Sequence, residues 1–159
     1  MPVKPIPDGY HTATPYLIIR DAARALEFYK KAFNAEELFR MAMPNGRIGH
    51  AEMRIGNSNI MLADESPENG VRSPQTLGGT PVSLMLYVED VDARYAQAIA
   101  AGAKEHRPVK DQFYGDRSGC ITDPFGHQWT ISTHKEDVPP EEMGRRMDAF
   151  MKSMSAPKG

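Results

Sequence analysis

At 159 residues, the chain has the length of one domain, or of two small halves sharing a core. Its 40% hydrophobic and 25% charged content is that of an ordinary folded chain and excludes wholesale disorder. Nineteen basic residues against 21 acidic ones leave a net charge of −2, without the basic stripe that nucleic-acid binders carry. The longest apolar runs, Tyr16 to Ile19 and Leu84 to Val88, are four and five residues, far short of the about 20 that span a bilayer. No membrane partner is expected. The opening Met1-Pro2-Val3-Lys4-Pro5 lacks the apolar stretch of a secretory signal, and a lone Cys120 forms no intrachain disulfide. The cytoplasm is the expected compartment.

In chain order, Tyr16 to Ile19 is short and β-rich and reads as a strand. Asp21 follows as a cap, because its carboxylate can accept an orphan N–H of the next turn. Ala22, Leu26, Tyr29 and Phe33 then recur at helical spacing. Three strand segments come next, Glu37 to Met43, Gly49 to Ile55 and Asn59 to Asp64, parted by the turns Pro44-Asn45-Gly46 and Gly56-Asn57-Ser58. Residues 65–80, with two prolines, three glycines and little periodicity, read as a linker. The order then repeats. Leu84 to Val88 is a strand, Asp90 a cap, and Val91, Tyr95, Ala98 and Ile99 a helical stripe closed by Gly102. Glu105 to Val109, Arg117 to Thr122 and Gln128 to Thr133 are strands, the last two joined by a tight Asp123-Pro124-Phe125-Gly126 turn. Asp21 and Asp90 stand 69 residues apart. The chain is thus two βαβββ units, residues 10–64 and 81–135, and neither has the apolar surface for a core of its own. In the tail, 136–159, a helix is predicted from Pro139. Its Met143, Met147, Phe150, Met151 and Met154 form a stripe for packing on the body or a second subunit, or for a lid over a pocket.

Several motifs fall within these units: Thr14-Pro15-Tyr16-Leu17, Ala25-Leu26-Glu27-Phe28-Tyr29, His50-Ala51-Glu52, Ile60-Met61-Leu62-Ala63-Asp64 and Asp123-Pro124-Phe125-Gly126-His127-Gln128-Trp129. In this order they resemble the vicinal oxygen chelate superfamily, most closely its glyoxalase/bleomycin-resistance, PhnB-like branch. The likeness covers residues 10–135 as a single domain. It implies an α+β fold in which two βαβββ units form a cup-shaped mixed sheet, followed here by a C-terminal helix. It also implies a homodimer, since related cups are often completed by a second subunit. Metal-dependent members take ligands from the first and last strand of each unit, and the matching positions are Thr14, Leu62, Ser83 and Thr130. A leucine and three hydroxyls are poor ligands for a divalent cation, so no metal and no other cofactor is expected. That departure sets the chain apart from glyoxalase I and the dioxygenases, whose chemistry needs the ion. A substitute set of His50, Glu52 and Asp64 is left open.

Strand alternation that puts Ala51, Met53 and Ile55 under the helices turns His50, Glu52 and Arg54 to the other face. The same parity groups Thr14 with Tyr16, Ser83 with Tyr87, and Gln128 with Thr130. His50 and Glu52, roughly 6–7 Å apart on one face, are suitable acid–base groups, and Arg54 suits an anionic ligand. The plainer reading is a solvated sheet face. Phe113-Tyr114-Gly115-Asp116-Arg117 offers aromatic walls and a guanidinium to a small molecule, or is a simple hairpin tip. The expected ligand site is Thr14, Tyr16, His50, Glu52, Arg54, Tyr87 and Thr130, with Tyr114 and Arg117 at its mouth. Trp129 belongs to the core, His127 is expected to be exposed, and His11, His106 and His134 read as surface residues. Two functions stay open: metal-independent binding of a small organic molecule, and lyase or isomerase chemistry with His50 and Glu52 as acid and base.

Overall fold

The computed structural model describes residues 3–156. The first unit runs β1 (Tyr16–Ile19), α1 (Ala22–Phe33), β2 (Glu36–Ala42), β3 (Ile48–Ile55) and β4 (Ser58–Asp64). After a 3-10 turn at Pro67–Asn69 and the short α2 (Pro74–Leu77), the second runs β5 (Ser83–Tyr87), α3 (Val91–Ala101), β6 (Lys104–Asp111), β7 (Asp116–Thr122) and β8 (Gln128–His134). A final helix, α4 (Pro140–Ser155), closes the chain. The fold is α+β. Each unit forms a mixed four-stranded sheet, ordered β1-β4-β3-β2 and β5-β8-β7-β6, with only the first pair of each parallel.

The helices begin where their caps dictate. Asp21 accepts from Arg24 N at 3.1 Å and Asp90 from Ala93 N at 3.0 Å. A second orphan N–H in each helix is met from the last strand of its unit. Ala22 N donates to Asp64 Oδ1 at 2.8 Å and Val91 N to Thr133 Oγ1 at 2.9 Å. At the other end Asn34 adopts the left-handed conformation with φ 55°, and Gly102 has φ 120°.

One core serves both units. α1 lies on the first sheet, α3 on the second, and the two helices pack on each other. Tyr29 and Phe33 of α1 meet Trp129 of β8 at ring separations of 5.4 and 4.9 Å, and Phe28 meets Phe125 at 6.1 Å. Trp129 and Tyr29 are fully buried, the kind of aromatic burial that dominates core energetics. Asp123, buried in the β7–β8 turn, accepts from the Tyr29 phenol at 2.6 Å and the Trp129 indole at 2.9 Å. His127 is not free at the surface as its turn suggested: its Nε2 lies 3.0 Å from the Ile18 carbonyl, tying the second unit to β1 of the first.

The segment between the units is packed rather than a bare connector. Glu65 is only 9% exposed and accepts from Ser73 N at 2.9 Å, Thr76 Oγ1 at 2.7 Å and Arg20 Nε at 3.0 Å. Burial works against its charge, but these donors outweigh it and bring the carboxyl down to about 2. α4, by contrast, buries no residue fully: Phe150 of its stripe meets Phe113 of the body at 5.0 Å, whereas Met147, Met151 and Met154 stay exposed. Among the described residues no helix is long and apolar enough to cross a membrane.

Candidate functional site

With both helices on inner faces, the outer face of each sheet is left open. On the first sheet the register places Tyr16 beside Met61, Met61 beside Glu52, Glu52 beside Phe39, and His50 beside Met41. A bulge at Leu38 sets the phase of β2, bringing Phe39 and Met41 onto the same face as Glu52 and His50. The sequence reading did not reach these two, because a bulge breaks the period-two count.

A chain of polar contacts crosses this face. The Tyr16 hydroxyl lies 2.8 Å from His50 Nδ1, and His50 Nε2 lies 3.1 Å from Glu52 Oε1. Tyr10, ahead of the first strand, donates its phenol to Glu52 Oε2. It was missed because it lies in a proline-rich segment without periodicity. The one local signal is Pro7-Asp8-Gly9, a turn in which Gly9 adopts φ 82° and Tyr10 N bonds the Pro7 carbonyl. Hydrogen bonds from Tyr10 and His50 hold the Glu52 carboxyl below its usual range. Burial and the Glu52 charge raise the Tyr16 phenol, and they push that of Tyr10 up to about 12. Asn59, on β4 beneath Gly9, keeps its Oδ1 buried and without a partner.

The remaining expected residues scatter. Arg54 shares the open face but is paired with Glu36 at the exposed rim. Arg117 faces the other way, with Gly119 and Ile121 toward α3, where it binds both oxygens of Asp92 at 2.8 Å and Asp111 at 3.2 Å. It is therefore not at the mouth of a site on the open face. Thr14 precedes β1 instead of lying on it, and Thr130 is buried beside Met85 and Cys120. Tyr87 joins a different cluster, on the second sheet. Its hydroxyl donates to Asp116 Oδ2 at 3.0 Å, Ser132 does so at 3.1 Å, and His134 Nδ1 lies 2.7 Å from Asp116 Oδ1. Burial disfavours the Asp116 charge, yet these contacts keep its carboxyl below the usual range. His134 stays at the surface, and Asp116 and then Asp137 raise its pKa. Tyr114, partly exposed, stacks edge-on against Phe113 at 5.4 Å.

The metal positions carried over by resemblance need one correction. Leu62 is fully buried and pairs with Leu17 under α1, whereas Met61 occupies the open face. A one-residue step turns every side chain to the other side of a sheet. With Met61, the internal offset becomes uniform: Thr14 to Ser83 and Met61 to Thr130 are both 69 residues. A thioether and three neutral hydroxyls do not fit a divalent cation of the kind the fold family implies. The substitute set fails as well, because Asp64 turns under α1 to accept Ala22 N and Ile48 N at 2.8 and 2.6 Å. Among the described residues no group of three His, Cys, Asp or Glu converges on a common point.

Cavities flank the polar chain. One of about 250 Å³ is lined by Ile6, Pro7, Tyr10, Thr14 and Met61, and another of about 520 Å³ by Tyr16, Met43, Ala63 and Asp64. A cleft of about 600 Å³ lies elsewhere, between the Ile55–Ser58 hairpin and the start of α3. Of the expected residues, only Tyr87 borders it.

Residues 10–131 match the Glyoxalase/Bleomycin resistance protein/Dioxygenase superfamily, and the chain belongs to it. It is 42% identical over 139 residues to the uncharacterized protein Mb0911c of Mycobacterium bovis, covering 86% of this chain and 91% of that one. Its fold is that of protein PA1353 from Pseudomonas aeruginosa, with a TM-score of 0.65 at 21% identity over 79% of this chain and 99% of that one. It is also that of the PhnB protein from Bacillus cereus, with a TM-score of 0.61 at 18% identity over 77% and 99%.

Proposed function

We propose that the protein binds a small organic molecule, without a metal, on the open face of the first sheet among Tyr16, Phe39, His50, Glu52 and Met61. The observation that carries this reading is the engagement of both His50 ring nitrogens, one by Tyr16 and one by Glu52. A general base needs a free nitrogen aimed at its substrate. Here the imidazole instead fixes a phenol and a carboxylate as a strip of oriented polar groups flanked by Phe39, Met41 and Met61. Such a pairing of apolar wall and few placed polar atoms suits recognition. Because Arg54 and Arg117 are each held by carboxylates, the group recognised is a hydrogen-bond donor rather than an anion. Glu52 is its acceptor.

The partner that completes this site is a second copy of the chain. Tyr16 and Phe39 are half exposed and Tyr87 more so, and a homodimer closes such open faces. The cytoplasm suits a chain whose one buried cysteine stays a thiol.

A second reading, a lyase or isomerase, draws on the same contacts. Tyr10, Glu52, His50 and Tyr16 form an unbroken hydrogen-bond chain, and a substrate that displaces Tyr16 frees Nδ1 for acid–base work. Ligand-observed NMR with a library of aromatic and aliphatic small molecules, followed by mass analysis of each compound after incubation, separates the two. Binders recovered unchanged and lost in E52Q support the binding role. A new product whose formation H50Q abolishes overturns it in favour of catalysis.

A further inference from the structure

We infer that α4 is the arm by which the chain holds a second copy of itself, its methionine stripe lying on the apolar open face of β2 in the partner. The inference rests on the reading that a second copy closes the open sheet faces, and adds which surfaces meet. Met147, Met151 and Met154 repeat at helical spacing and are 51%, 59% and 68% exposed. No element of their own chain covers them. The helix is nevertheless held in place. Arg146 donates twice to Glu136 at 2.8 Å and once to the Phe113 carbonyl at 3.3 Å, and Phe150 packs on Phe113 at 5.0 Å. The stripe is presented by a fixed helix beside the β6–β7 turn.

A surface of matching character lies on the other unit. β2 is the edge strand of its sheet, and Leu38, Phe39, Met41 and neighbouring Met43 stand exposed along it. An exposed apolar edge strand is a liability unless something covers it. α4 of the same chain does not bury it, since the helix is anchored on Phe113 and Glu136 beside the second unit and the β2 side chains stay exposed. In a twofold dimer the two surfaces are satisfied reciprocally, helix on strand and strand on helix.

The area agrees. The chain exposes 10117 Å² at 17.7 kDa. A compact monomer of that mass exposes about 7,900 Å², leaving an excess of roughly 2,200 Å². An obligate dimer covers about 1,000–2,500 Å² of each chain. The excess is large enough to hold such an interface.

The test measures the mass in solution of the full chain, of M147E/M151E, and of a chain ending at Val138, by light scattering and sedimentation. Circular dichroism confirms the fold of each. The expected result is a dimeric parent and folded variants whose dimer is weakened by at least about 30-fold. In a C120S background, M41C/M151C is expected to oxidise to a covalent dimer, while neither single variant does. A monomeric parent overturns the inference together with the closed-face reading beneath it. A dimer that survives both α4 variants overturns the inference alone, as does a covalent dimer from M151C by itself, which pairs helix with helix.

Discussion

The Tyr29 phenol, at the centre of α1, donates to Asp123 in the β7–β8 turn at 2.6 Å, so one buried hydrogen bond joins the two repeats. Asp123 receives three further donors: the Trp129 indole and the N–H groups of Phe125 and His127. Replacing Tyr29 with Phe removes one donor from a buried carboxylate while keeping the ring. The expected loss is about 1.5–3 kcal/mol, read from urea denaturation. D123A is expected to cost more, because it strands all four donors.

Tyr10 reports on the site directly. Burial and Glu52 together hold its phenol at about 12. In E52Q the charge is gone, and the phenol returns toward 10. Ultraviolet titration is expected to show more tyrosinate at pH 11 in E52Q than in the parent chain. Identical titration curves would detach Tyr10 from Glu52 in solution.

For Arg54 the expectation is a small effect. Its ion pair with Glu36 is exposed on both sides, and such pairs contribute about 0–1 kcal/mol. R54M should therefore unfold within about 1 kcal/mol of the parent and bind ligand with unchanged affinity, in contrast to E52Q. Affinity lost in R54M alone would return the ligand to the anionic class.

Glu65 sets an acid limit. Its folded pKa is lowered to about 2, below its unfolded value, so the carboxylate stabilises the fold above the unfolded pKa. That stability is lost as pH falls from about 4.5 toward 2. E65Q is expected to flatten the stability profile in that window and to be about 2–3 kcal/mol less stable at neutral pH. Thermal midpoints between pH 2 and 7 check both.

Gly115 is where the tail is fastened. Its φ is +100°, and a Cβ there would lie 2.2 Å from the Glu136 carbonyl oxygen. Its own carbonyl accepts from Lys135 N and Glu136 N at 2.9 and 3.0 Å. G115A is expected to cost more than about 2 kcal/mol and to loosen residues 135–139, visible as faster amide exchange there.

The elements were legible because each carried a local signal. Asp21, Asp90 and Gly102 mark helix ends by chemistry that needs no tertiary context, and the 69-residue offset exposed the repeat. His50 and Glu52 share a face because β3 is regular, so parity sufficed. Elsewhere counting failed for identifiable reasons. The motif puts Leu62 at the position that Met61 holds on the open face, a difference of one residue. Leu38 bulges, hiding Phe39 and Met41. Arg117 shares parity with Ile121, which is buried, and that signal pointed away from the open face. Tyr10 and the seating of Glu65 depend on irregular segments without periodicity, and Glu52 and Arg20 reach them from 42 and 45 residues away.

The shared core has a consequence for how the chain can be handled. The two units are alike in outline, but Trp129 of one packs on Tyr29 and Phe33 of the other. Neither half can be excised as a module. A protease cutting at the glycine pair Gly78-Gly79 would leave two pieces that stay clasped, because severing the peptide removes none of the aromatic interlock. The repeat is thus a pattern of sequence and topology, while in energy the molecule is one body.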